Sequence, residues 1–252
     1  MHCSSPRLWP GASRSVYYCE SALSKAIQIR GLRYRYPDGT QALDGIDFHL
    51  DAGESVALFG ANGSGKTTFV LHLNGLLRGE GVIEICGLPL ADATLEQIRS
   101  KVGVVFQDSD EQLFMPTVLE DVAFGPLNLG LSPGDALTRA RTVLKRVGMA
   151  HALERAPYHL SAGEKKRVAI AGVLAMDPEI LVLDEPTTFL DPPTRRDLLS
   201  LLRSLPLSKL VVTHDANLAR ALTSRAVFFD QGRIAGEGDV IEIVQRFHWE
   251  YS

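Results

Sequence analysis

Gly60, Gly65, Lys66 and Thr67 fill the pattern G-x-x-x-x-G-K-[ST]. Before them lies an apolar run, Ser55–Phe59, that reads as a buried strand; after them, Thr67–Leu77 reads as a helix. This is the strand–loop–helix setting that a phosphate-binding loop needs. Backbone N–H groups must wrap a phosphate closely, and a Cβ would obstruct them, which explains Gly60, Gly63 and Gly65. Ala61, Asn62, Ser64 and Thr68 complete the cradle, and the helix N-terminus beyond it favours an anion. In such a loop Lys66 reaches the β- and γ-phosphates and the Thr67 hydroxyl is placed to ligate Mg²⁺. A plain glycine-rich turn would account for the glycines but not for the Lys-Thr pair.

A second chemical site follows an apolar strand, Ile180–Leu183, which ends in Asp184-Glu185. One carboxylate there can hold Mg²⁺ and its neighbour can act as a base on water. Gln107 and His214 also stand at the ends of apolar runs, Val102–Phe106 and Leu210–Thr213. Strands alternating with helices make a mostly parallel sheet, and ligands of such sheets bind beyond the strands' carboxyl ends. Gln107, Asp184, Glu185 and His214 share that edge with the phosphate loop.

The elements that must position these residues are legible along the chain. Ala26–Ile29, Leu32–Tyr36 and Ala42–Leu50 alternate like strands around the turn Pro37-Asp38-Gly39, predicting an antiparallel β layer ahead of the nucleotide core. Val82–Ile85 is a further strand and Thr94–Lys101 a short helix. Thr117 with Glu120 forms a capping box, and Ser132-Pro133 opens a helix whose apolar positions run from Ala136 to Val147, stopped by Gly148. Residues roughly 108–160 therefore read as a helical insertion. Val168–Leu174 and Arg195–Leu205 read as helices, Val227–Phe229 with Arg233–Ala235 as a closing hairpin, and Val240–Phe247 as a last helix.

The 252 residues suffice for a substantial core, and the net charge of −4 carries no basic surplus for nucleic acid. Cys3, Cys19 and Cys86 form no C-x-x-C pair, and the seven histidines lack metal-ligand spacing, so neither a disulfide framework nor a resident transition metal is expected. No apolar run approaches the roughly 18 residues of a membrane span. Residues 1–24 read as a flexible extension without a signal peptide, and 25–252 as the folded domain.

His159-Leu160-Ser161-Ala162-Gly163-Glu164-Lys165-Lys166-Arg167 resembles the signature motif of ATP-binding-cassette (ABC) ATPases. Phosphate loop, Gln107, signature, Asp184-Glu185, Leu190-Asp191 and His214 come in that family's order, over roughly residues 26–245. The resemblance implies an α/β fold: a P-loop NTPase core with an N-terminal antiparallel layer and an inserted helical subdomain. It implies ATP and Mg²⁺ as cofactors, with Mg²⁺ at Thr67, Gln107 and Asp184. It further implies Tyr36 stacked on adenine, Gln107 sensing Mg²⁺ and the attacking water, Glu185 as general base, and His214 contacting the γ-phosphate. Asp191 would communicate across a dimer, and Ser161 and Gly163 would bind the γ-phosphate held by a second cassette, identical or paralogous. Ala162, Glu164 and Phe189 depart from the family's usual Gly, Gln and small residue; a carboxylate near triphosphate would weaken the sandwich.

Phe106–Phe114 and Pro116–Pro126 resemble one branch in particular, the energy-coupling-factor importers of cobalt, nickel or vitamins. That resemblance implies an ATP-hydrolysing subunit, peripheral on the cytoplasmic face of the cell membrane, borrowing its spans from integral membrane subunits. Leu113, Phe114 and Pro116 would receive a short helix from the membrane partner. The chain ends at Ser252 without the longer C-terminal region frequent in vitamin-type members, which favours cobalt or nickel over a vitamin. A soluble ABC ATPase acting on nucleic acid, and a non-hydrolysing nucleotide module, are the weaker alternatives.

Overall fold

A computed structural model describes residues 25–249. The extension expected at 1–24 lies outside the described residues. In chain order the strands are β1 (Lys25–Arg35), β2 (Gln41–Asp51), β3 (Ser55–Gly60), β4 (Glu80–Ile85), β5 (Leu88–Pro89), β6 (Val102–Val105), β7 (Ile180–Asp184), β8 (Ser208–Val212), β9 (Arg225–Asp230) and β10 (Arg233–Asp239). The helices are α1 (Lys66–Leu73), α2 (Leu95–Lys101), α3 (Val118–Asn128), α4 (Pro133–Arg146), α5 (Ala162–Ala175), α6 (Pro192–Arg203), α7 (Ala216–Leu222) and α8 (Val240–Arg246).

Two sheets form. The antiparallel layer has the order β2-β1-β4-β5, and the second sheet has the order β10-β9-β3-β8-β7-β6. In the second sheet β9, β3, β8, β7 and β6 run parallel, while β10 closes antiparallel on β9. Both faces of the parallel strands are covered, so alternate side chains enter different cores. Val56 and Leu58 face the antiparallel layer, with Phe69 and Val70 of α1 between; Ala57 and Phe59 face α7 and α8. Leu181 and Leu183 face the other way, into the core shared by α3, α4, α5 and α6. Phe69 ties the layers, with its ring edge-on to Phe48 at 5.3 Å and tilted against Phe229 at 5.2 Å. Each such fully buried side chain contributes about 1.5–3 kcal/mol relative to exposure.

The α/β architecture, with its antiparallel layer, agrees with the sequence reading; several helix bounds differ. α1 ends at Leu73 rather than Leu77, because Asn74 caps it and Gly75 turns left-handed at φ 68°. α5 begins at Ala162, six residues ahead of the expected Val168, because Ser161 and Glu164 form a reciprocal capping box. α6 begins at Pro192 instead of Arg195, since Asp191 caps it and proline suits the first turn. α7 was not anticipated; its N-cap, Asp215, accepts from Asn217 N and Leu218 N.

Candidate active site

The phosphate loop is moulded by backbone that approaches it from distant segments. Gly60 ends β3 at φ 141°, where a Cβ would collide with the carbonyl of Phe229. Gly65, at φ 107°, caps α1, and a Cβ there would lie 2.6 Å from the Ala42 carbonyl. Ser64 is buried, and its carbonyl accepts from Gly232 N at 3.0 Å; the Gly232 carbonyl in turn accepts from Asp44 N at 2.8 Å. The loop is thus hydrogen-bonded through the β9–β10 turn to β2. Ala61, Asn62, Gly63 and Thr67 face outward, and no acidic residue occupies the first turn of α1 to oppose an anion.

Lys66 is buried, and its Nζ donates to Gly60 O at 2.6 Å and Ala61 O at 2.9 Å. Burial lowers its pKa, against the pull of Glu185 and Asp184 in the opposite direction. Thr68 lies beneath the loop, and its Oγ1 is 3.0 Å from the Tyr36 hydroxyl. Tyr36 follows directly after β1, with its ring edge-on to Tyr34 at 5.0 Å. One end of Tyr36 is therefore tethered to α1 while the ring remains partly exposed.

Asp184 and Glu185 continue β7 into the same region. Both are nearly inaccessible, at 8% and 9% exposure, so water cannot fully solvate two carboxylates side by side. Burial raises Asp184, while Lys66 and Lys166 act against that rise. Burial, then the adjacent Asp184 charge, pushes Glu185 up to about 7. Glu185 also has φ 44°, an unusual left-handed conformation for a side chain with a Cβ, fixed by its N–H donating to Val212 O at 2.9 Å. This turn carries its carboxylate to 3.3 Å from Nε2 of His214. Burial, and then the Lys66 charge, lowers the pKa of His214, so the imidazole is neutral near pH 7.

Thr67, Gln107 and Asp184 line one cleft of about 640 Å³, together with Ala162, Lys165 and Phe189. No group of three or more His, Cys, Asp or Glu that could hold a metal occurs among the described residues. A hard cation in this cleft would draw on Thr67, Gln107 and Asp184 for oxygen ligands and need others from phosphate and water, which is how Mg²⁺ is usually held. Those three positions fit it.

Ser161 and Gly163 have their contacts elsewhere. The Ser161 hydroxyl accepts from Glu164 N and donates to the Glu164 carboxylate at 2.9 Å, which also accepts from Ser161 N at 2.8 Å. Arg155 Nη1 adds a contact at 3.2 Å. The Ser161 backbone N–H is the first cause holding Glu164 below its ordinary range. The carboxylate whose charge threatened a triphosphate is thus turned back onto its own helix cap. A Cβ on Gly163 would lie 2.5 Å from Thr194 Cγ2, so glycine there also allows α5 and α6 to meet. Asp191 is exposed and accepts from Thr194 N at 2.8 Å.

Two residues of the site were not singled out from sequence. Lys166, 3% exposed, donates to Phe106 O at 3.0 Å and Gln107 O at 2.8 Å, joining the signature helix to the glutamine loop. Its signal was a lysine in register with Ile170 and Val173 on a buried helical face. Gln112 accepts from Phe106 N at 2.9 Å and donates to Val104 O at 2.9 Å, shaping the same loop. Farther along, Asp121 accepts from Phe114 N and Met115 N, both at 3.0 Å, and presents Phe114 at 63% exposure, edge-on to Phe124. Leu113 instead packs against the helical core.

Residues 43–188 match the ABC transporter family. This chain belongs to that family. An energy-coupling factor transporter ATP-binding protein, EcfA, of Methanothermobacter thermautotrophicus is 48% identical over 223 residues, 86% of this chain and 72% of that protein. Among solved structures, cbiO1 of Clostridium perfringens, described as part of the ABC transporter complex cbiONQ, has a TM-score of 0.80. The identity is 35%, covering 89% of this chain and 92% of that one. The cassette MJ0796, in a dimeric post-hydrolysis state bound to ADP and Pi, has a TM-score of 0.76 and 31% identity, covering 85% of this chain and 98% of that one. The chain is an ABC ATPase of the energy-coupling-factor type, and no helix among its described residues is long and apolar enough to cross a membrane.

Proposed function

We propose that this ABC ATPase powers an energy-coupling-factor importer of cobalt or nickel ions from the cytoplasmic face of the membrane. It pairs with a second cassette, identical or paralogous, and with integral membrane subunits. Residues 25–252 act as one ATPase domain, with 108–160 as its helical subdomain. The observation that carries the catalytic reading is the 3.3 Å approach of His214 Nε2 to Glu185 Oε1 at the strand ends beside Lys66.

Gly60 to Thr68 cradle the triphosphate, with Lys66 on its β- and γ-oxygens and Tyr36 against the adenine. Mg²⁺, when bound, neutralises phosphate charge and screens the leaving group. Thr67, Gln107 and Asp184 would hold it, and Gln107 also orients the attacking water. Glu185 accepts that water's proton, a task suited to a carboxylate whose burial raises its basicity. His214, neutral, donates toward the γ-phosphate side. Ser161 and Gly163, at the N-terminus of the 14-residue α5, offer their donors to the nucleotide of the second cassette, and Asp191 lies at the contact between the two. The membrane partner's helix docks on Phe114 and Phe124, beside a hollow of about 470 Å³ lined by Leu95, Gly125, Leu129 and Met176. Cobalt and nickel never touch this chain; the membrane subunits select them.

The test is uptake of radiolabelled cobalt, nickel or a vitamin into vesicles carrying this chain with the integral membrane subunits that co-purify with it from solubilised membranes. ATP-dependent cobalt or nickel uptake, lost in Lys66→Ala, is the expected result. Vitamin uptake instead would overturn the metal assignment and leave the importer. Uptake unaffected by Phe114→Asp would remove the docking surface.

A further inference from the structure

His214 stands two residues beyond the end of β8, its side chain partly exposed. Its Nε2 meets Glu185, and its flat face meets Trp249, a residue beyond α8 and some 35 positions downstream in the sequence. The two rings are stacked, with centroids 5.7 Å apart and planes 26° from parallel. The indole is itself gripped: edge-on to Phe228 at 5.2 Å and tilted against Phe59 at 6.4 Å. Phe228 in turn stacks flat on Phe247 at 4.0 Å. Phe59 directly precedes Gly60, so the same aromatic wall backs both the phosphate loop and the histidine.

From this geometry we propose that Trp249 is a positioning residue for catalysis, holding His214 in the one orientation that presents Nε2 to Glu185. The inference rests on the ATPase reading of the site. A stacked indole limits imidazole rotation about its second side-chain torsion and shields one face from water, as supporting partners do for catalytic groups generally. The charged groups around the histidine are Glu185 from the end of β7, Lys66 from α1, Arg195 from α6, and Asp215 and Arg220 on the α7 side. Trp249 lines this cleft with Phe189 and Ala216 as its apolar side chains.

The test has two arms on the full chain. In a Trp9→Phe background, Trp249 is the only tryptophan, because the sequence contains two. Its fluorescence should be quenched as pH falls and His214 becomes an imidazolium, and the step should vanish on His214→Gln. In the second arm, Trp249→Ala should lower kcat about tenfold with KM for ATP changed by less than about twofold, the pattern of a lost transition-state interaction. Trp249→Phe should restore most of the rate. Combining Trp249→Ala with His214→Ala should add nothing to the loss from His214→Ala alone. The proposal is overturned by pH-indifferent Trp249 emission, by a wild-type kcat in Trp249→Ala, or by equal losses with and without His214. A wild-type chain that turns over no ATP would defeat the ATPase reading, whereas the fluorescence arm would still decide the contact.

Discussion

The Nζ of Lys166 donates to the carbonyls of Phe106 and Gln107, so a charged side chain on the signature helix holds the backbone of the glutamine loop. Its charge is buried, and burial lowers its pKa. Lys166→Met would keep the length of the side chain but leave two part-buried carbonyls without their donor, costing about 1 kcal/mol. Thermal melts should register this loss. ATP turnover should fall as well, because Gln107 would no longer be held in place, while Lys165→Met, which removes an exposed pair with Asp110, should leave the melt nearly unchanged. Equal melts for the two variants would mean that the buried strut contributes nothing.

Glu185 gives the chain a pH signature. Its folded pKa is raised from 4.5 to about 7, so the folded state binds the proton more tightly than the unfolded one. The stability this supplies is present below pH 4.5 and is lost as pH rises through about 7. Glu185→Gln should therefore melt higher than wild type at pH 8 but not at pH 5, by on the order of 2 kcal/mol after allowance for the coupled Asp184. Catalysis runs the other way, since the base must be ionised: kcat/KM should climb through the same interval. A flat rate profile between pH 5.5 and 8 would exclude Glu185 as the base.

Tyr36 is tied to Thr68 by its hydroxyl and leaves its ring available. Tyr36→Ala should weaken ATP binding by roughly 1–3 kcal/mol, the scale of base–aromatic stacking. Tyr36→Phe, lacking the tether but keeping the ring, should lose far less. Calorimetric titration with ATP and with inorganic triphosphate separates the cases: only ATP affinity should respond to the ring. Equal effects on both ligands would assign Tyr36 to loop architecture.

Ser161 and Gly163 contact their own helix and α6, and the proposed mechanism assigns them the nucleotide of a second cassette. Glu185→Gln should bind MgATP without turnover and accumulate as a dimer by light scattering. Ser161→Arg in that background should abolish the dimer. With Glu164 turned into the helix cap, the ATP-bound dimer should persist at ordinary salt. A monomer hydrolysing ATP in strict proportion to its concentration would sink the shared site.

Much of this was legible from sequence because it depends on local rules. The phosphate loop, the strand-end residues Gln107, Asp184, Glu185 and His214, and the capped α4 were all readable. Helix starts at Ala162 and Pro192 were read late because polar first turns carry no apolar period; the caps Ser161 and Asp191 were the better guide. Lys166 and Trp249 escaped because their roles arise only from tertiary contact. Nothing local indicates that a lysine will find two carbonyls some 60 residues away, or that an indole beyond α8 will cover a histidine at the end of β8. Glu164 was read only as a charge, although Ser161-x-x-Glu164 carries the same capping-box pattern as Thr117-x-x-Glu120.

The hydrogen bonds running from Ser64 to Gly232 to Asp44 bear on where this nucleotide-binding unit is complete. Every motif residue lies at or before His214, so a count of motifs would close the unit there. The phosphate loop closes later. Its backing is the Gln231-Gly232 turn, and β9, which carries that turn, is also the neighbour of β3 on the side away from β8. A segment holding every motif but ending at His214 would have its phosphate strand at a bare sheet edge and its loop unsupported from behind. The smallest self-sufficient binding module is therefore set by the closing hairpin, whose residues belong to none of the motifs.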